Sequence, residues 1–185
     1  FKCAPDYKPR VFLSDEEIQR LMDLELRYHR QRAVRDMFVF CCFTGLAYID
    51  LKNLTYDHIV TAPTGEQYIY NRRQKTGTPY HIMLLPIAQE LIERYRGYPG
   101  KIDETRVFPV KDRKSMSTTM KHIAQKCGIT KNLSTHIGRH TFGTTVTLEK
   151  GVPIETVSEM LGHKQITTTQ IYAKLTANKM KEDGR

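Results

Sequence analysis

Tyr172 stands near the end of the stretch GHKQITTTQIYAK (residues 162–174), nine residues after His163. Upstream, THIGRHTF (residues 135–142) sets His136 and Arg139 three residues apart. On a helix that spacing projects both side chains from one face. Together these residue types could handle a phosphate. A planar guanidinium clamps two phosphate oxygens, an imidazole hydrogen-bonds or moves a proton, and a phenol attacks phosphorus once its own proton is removed. Taken singly, each is equally compatible with a structural polar network. The chain has no GxxxxGK[ST] loop, GxGxxG, HExxH or GxSxG. Chemistry by these residues would therefore run without a bound nucleotide.

The flanking pattern predicts what positions them. LSDEEIQRLMDLELR opens with a capping box, Ser14 and Glu17, and carries apolar residues at Ile18, Leu21, Met22 and Leu26, an amphipathic helix. RAVRDMFVFCCFTG reads as a buried helix stopped by Gly45. A short helix in AYIDLKNLTYDHI leads to a strand near residues 57–61. EQYIYNRRQK and PYHIMLLP flank the turn-forming TGTP and pair as antiparallel strands. From Pro86 on the chain reads as helical. Pro86 and Pro153 mark helix starts, Gly97, Gly128 and Gly151 mark stops, and STHIGRHTFGTTVTLEKG reads as one helix capped by Ser134. A last short helix carries TTQIYAK, and residues 175–185 form a charged tail. The expected class is α+β: mainly helical, with one small three-stranded antiparallel sheet.

Composition narrows the partner. Lys and Arg outnumber Asp and Glu by 29 to 20, a net charge of +9 with a pI near 9.4. That surplus on one domain favours a polyanion, most often nucleic acid. The longest apolar run, MFVFCCF, is far shorter than a membrane-spanning helix. Cys3, Cys41, Cys42 and Cys127 form no CxxC pair, which points away from zinc and disulfides and towards a reducing cytoplasm.

HIGRHTF followed by LGH and TTTQIYAK resembles the second and final boxes of the tyrosine recombinases, the phage integrase family. KTGTP resembles that family's hairpin turn, and FTGLAYIDLKNLT stands where its first box, Thr-Gly-Leu-Arg and Ser-Glu-Leu, is expected. The matches run from about Phe12 to Lys174. The resemblance implies a catalytic domain that recombines double-stranded DNA site-specifically, as an integrase of a mobile element. It implies Tyr172 as nucleophile, forming a 3′-phosphotyrosine and releasing a 5′-hydroxyl. Arg139 and His136 would hold the non-bridging oxygens, His163 would add a hydrogen bond, and Lys75 would protonate the leaving oxygen. No metal, cofactor or ATP is called for. It further implies a homotetramer on paired DNA sites, no membrane, and a prokaryotic, nucleoid-associated cytoplasmic protein.

One position departs from the pattern: Ala47 stands where the first box has arginine. Strand alternation would set Arg73 on the same face as Lys75, which makes Arg73 a candidate substitute cation, equally compatible with a plain DNA-backbone contact, and Lys52 is a further candidate. Two other readings follow from the same residues, a catalytically impaired DNA-binding regulator and a type IB topoisomerase. Residues 1–11 read as a linker leading out of an N-terminal DNA-binding domain, with a single catalytic domain over residues 1–185.

Overall fold

The computed structural model describes residues 11–183, with side chains described to residue 177. Eight α-helices and three strands follow one another. They are α1 (Asp15–Asp23), α2 (His29–Thr44), α3 (Tyr48–Lys52), β1 (Ile59–Thr61), β2 (Gln67–Arg72), β3 (Pro79–Met83), α4 (Pro86–Arg94), α5 (Arg113–Lys126), α6 (Thr135–Thr141), α7 (Ile154–Met160) and α8 (Thr167–Asp183). The sheet is antiparallel in the order β1-β2-β3, with Ile69 opposite Ile82 on its buried face. The expected class and sheet are what is found. The proposed linker lies almost wholly outside the described residues.

Helix α2 is the axis. Its residues from Ala33 to Cys42 are all buried, and it packs against α1, α4, α5 and α6. Two buried charges tie these helices together: Arg35 donates to the carbonyls of Leu21, Met22 and Leu24 at the end of α1, while Asp36 accepts from Arg35, Arg94 and Tyr95. Cys41, Cys42 and Cys127 are free thiols in the core, and burial pushes the Cys41 thiol up to about 12.

Gly45 ends α2 at φ +66, its N–H donating to the Cys41 carbonyl. A Cβ there would lie 2.6 Å from Phe142 and 2.8 Å from Leu161. Both strain and overlap therefore oppose any side chain. Gly45→Ala should cost roughly 3 kcal/mol, whereas Gly77→Ala, at a similar φ in open space, should cost about 1 kcal/mol. Urea titration of the two variants checks the difference.

Two helix expectations are corrected. The stretch after Ser134 is not one α-helix, because α6 passes at Phe142–Thr147 into a π-helical segment and then into a 3₁₀ turn, Leu148–Lys150. The sequence FGTTVT joins a glycine to β-branched residues, both poor α-helix formers. Residues 175–183 are not a separate tail but the continuation of α8, since LTANKMKED contains good helix formers and neither Gly nor Pro.

Candidate active site

Helix α6 begins at Ser134, whose hydroxyl accepts from the Ile137 N–H, and lies close on α2 because Gly138 faces Cys41, where a Cβ would come within 3.0 Å. This approach aims Arg139 at two helix ends. Its Nη1 donates to the Gly45 carbonyl at 2.8 Å, and its Nη2 donates to the Leu161 carbonyl at 2.6 Å. The same Nη2 lies 3.0 Å from His163 Nε2. Arginine only donates, so Nε2 is the acceptor there. The ring proton then stands on Nδ1, which donates to the buried Thr169 hydroxyl at 2.7 Å.

Tyr172 is buried, at 2% exposure, on α8 one helical turn beyond Thr169. Its ring stacks near that of His163 and meets His140 edge-on. Beneath it lies Gly143 of the π-helical segment, where a Cβ would come within 3.0 Å of the ring. The phenol oxygen hydrogen-bonds the Arg139 guanidinium. Burial lowers Arg139 to about 10, with the nearby Arg73 charge adding to the effect, while Tyr172 and Asp50 pull it back up. It is still a cation at neutral pH.

Arg73 is also buried. Its Nε donates to the same Leu161 carbonyl at 2.9 Å, its Nη1 pairs with Asp50 Oδ2 at 2.8 Å, and its guanidinium covers the Tyr80 ring at 4.2 Å. Gly162 makes room for its stem, since a Cβ there would sit 3.0 Å from Arg73 Cγ. The other Asp50 oxygen accepts from the Gln74 N–H, which fastens the hairpin turn. The strand-alternation argument fails for Lys75. Strand β2 ends at Arg72, and the Arg73 N–H still bonds the Thr78 carbonyl before the chain turns. Arg73 keeps to the inward face of Ile69 and Asn71, while Lys75, past the end of the strand, stands exposed in the turn.

Of the residues singled out by sequence, Arg139, His163 and Tyr172 are brought together, with Arg73 on the same carbonyl. His136 is exposed one turn before Arg139, its ring 4.2 Å from that of His140. Lys75 does not join the cluster. Asp50, Thr169, His140 and Gly143 were missed. Of these only Thr169 left a trace, three residues before Tyr172 and so on the same helix face. A cavity of about 330 Å³ opens beside the cluster, lined by Arg139, His136, Ala47 and Arg113 among others. Among the described residues no three His, Cys, Asp or Glu side chains gather to hold a metal ion, and no helix is long and apolar enough to cross a membrane.

Comparison with known proteins places the chain and its fold. A tyrosine recombinase of Pseudothermotoga lettingae is 28% identical over 176 residues, 91% of this chain and 58% of its own length. The chain thus spans under three fifths of that relative. Among solved structures, the XerH site-specific recombinase bound to palindromic difH substrate shares the fold with a TM-score of 0.75 at 20% identity, over 96% of this chain and 53% of that one. The Tn1549 transposon integrase in complex with transposon right end DNA follows with a TM-score of 0.65 at 18% identity, over 97% of this chain and 68% of that one. The sequence profile of the phage integrase family matches residues 11–179, nearly all that is described, and the chain belongs to that family.

Proposed function

We propose that this chain is the catalytic part of a DNA recombinase that cleaves and rejoins strands through a 3′-phosphotyrosyl intermediate. One observation carries the reading: the buried guanidinium of Arg73 and the half-buried one of Arg139 converge on the single carbonyl of Leu161, with the Tyr172 phenol on the latter. Two like charges partly out of water repel, and among the described residues only Arg73 pairs with a carboxylate, Asp50. An anion set between them relieves both costs, and a DNA phosphodiester is the anion that a +9 chain meets most readily.

On this reading the scissile phosphate displaces the phenol from Arg139 and takes its donors. Arg73, braced by Asp50, supplies the cation missing at Ala47, and the exposed His136 closes the open side. As the phosphate takes the Arg139 donors, the His163 Nε2 lone pair is released from that guanidinium, and the Tyr172 oxygen attacks phosphorus as its proton passes to this nitrogen. His163 then holds a proton to donate to the phosphate. The P–O5′ bond breaks, and Lys75, carried in by the hairpin turn, protonates the departing oxygen. The phosphotyrosyl bond keeps the energy of the broken diester, so reversal by a second 5′-hydroxyl needs no further input. Exchange between two sites would then use four copies of the protein on two duplexes.

The test is incubation with nicked suicide duplexes drawn from the host element's ends, followed by denaturing electrophoresis. A covalent protein–DNA band is expected. Its absence on every duplex that binds would favour the DNA-binding regulator. Relaxation of a plasmid with no element sequence would favour the topoisomerase.

A further inference from the structure

We infer that the cavity beside Ala47 is a second phosphate subsite, in which Arg113 grips the DNA strand next to the phosphate held by Arg139. The inference rests on the reading of the chain as a DNA-cleaving enzyme and adds a contact to it. The cavity runs from Arg139 and His136 past Ala47 to Arg113, the first residue of α5. Ala47 lines this cavity, where a longer side chain would take up part of the space.

Arg113 differs from the other arginines of the site. It is exposed, and its guanidinium lies over the Tyr48 ring at 4.8 Å. A π face orients a guanidinium without using its N–H donors in the ring plane, so these stay available for an anion. The adjacent acid, Asp112, caps α5 by accepting from the Ser115 N–H at 2.9 Å. The Tyr48 hydroxyl is turned away, donating to the Lys111 carbonyl at 2.7 Å. Among the described residues no carboxylate lines the cavity. Its charged and hydroxyl groups are Arg113, Arg139, His136, Ser117 and Thr135, with Ser134 engaged as a helix cap. Its floor is apolar, with Met116 and Leu133. Cations at the rim and an apolar floor match a nucleotide unit, whose phosphate is charged and whose deoxyribose is not.

Methylphosphonate scanning tests this. Suicide duplexes would each carry one neutral methylphosphonate at a phosphate flanking the scissile one. Wild type should lose about tenfold in cleavage at one flanking position, on the scale of one charge-assisted hydrogen bond. Arg113→Ala should be slower by a similar factor on unmodified DNA and lose nothing more at that position. Lys114→Ala, a neighbouring charge that does not line the cavity, should keep the wild-type sensitivity. If Arg113→Ala cleaves at the wild-type rate, or responds to every methylphosphonate as wild type does, the subsite is wrong. Should wild type form no adduct on any duplex, the proposed reaction fails instead. Arg113 is then judged by binding alone: its loss, unlike that of Lys114, should lower the slope of log affinity against log salt by about 0.9. Equal slopes for the two variants would overturn the subsite.

Discussion

Tyr172→Phe is expected to abolish covalent protein–DNA product while leaving the fold and DNA binding nearly unchanged. The substitution removes one oxygen and keeps the ring, so packing over Gly143 and beside His163 survives. The hydrogen bond lost is one of several on Arg139, which keeps the Gly45 and Leu161 carbonyls and His163. The effect on stability should be within about 1.5 kcal/mol, the net worth of one such bond, and DNA affinity should stay within a few-fold. The chemical effect is total, because no phenylalanine atom can bond to phosphorus. Denaturing electrophoresis with suicide duplexes reads the product, and fluorescence anisotropy reads the binding. If the variant still forms an adduct, another residue is the nucleophile and the proposed mechanism is wrong.

What the sequence revealed and what it hid divide along a physical line. Local chemistry was legible. The Ser14–Glu17 capping box, the Gly45 stop and the hairpin between β2 and β3 are each specified by a few adjacent residues, and each stands where the pattern put it. The close set of Arg139, His163 and Tyr172 was also readable, because the order of the family's boxes encodes it. Hidden was whatever depends on tertiary approach. Asp50 lies 23 residues before Arg73, and nothing in YIDLK says that its carboxylate will meet an arginine from a hairpin turn. Alternation assigned Lys75 to the face of Arg73, yet the strand ends at Arg72, so Arg73 stays inward while Lys75 is exposed in the turn. The π-helical segment under Tyr172 was invisible for a similar reason, since poor helix formers in FGTTVT lower α-propensity without naming the alternative.

Arg139→Ala should cost about 10² to 10³ in cleavage rate at saturating DNA, the scale of losing one preorganised donor to a developing oxyanion. The structure gives a reason to expect the upper part of that range. Arg139 carries the phenol, donates to the His163 Nε2 lone pair, and bridges the carbonyls at the ends of α2 and α7, so its removal also loosens the nucleophile and the imidazole. Arg73→Ala offers the comparison. Its loss removes the proposed substitute for the first-box cation but also strands Asp50 in the core, and breaking a buried ion pair in this way costs about 3–5 kcal/mol of stability. The two arginines should therefore separate in a paired measurement. Arg139→Ala should lose far more rate than stability, its urea midpoint falling less than that of Arg73→Ala, while Arg73→Ala should lose both, with Arg73→Ala/Asp50→Asn recovering the midpoint but not the rate. Recovery of rate along with stability would make Arg73 a structural partner of Asp50 only. A small effect at Arg139 would overturn the phosphate site itself, because no other described cation bonds the Gly45 and Leu161 carbonyls together.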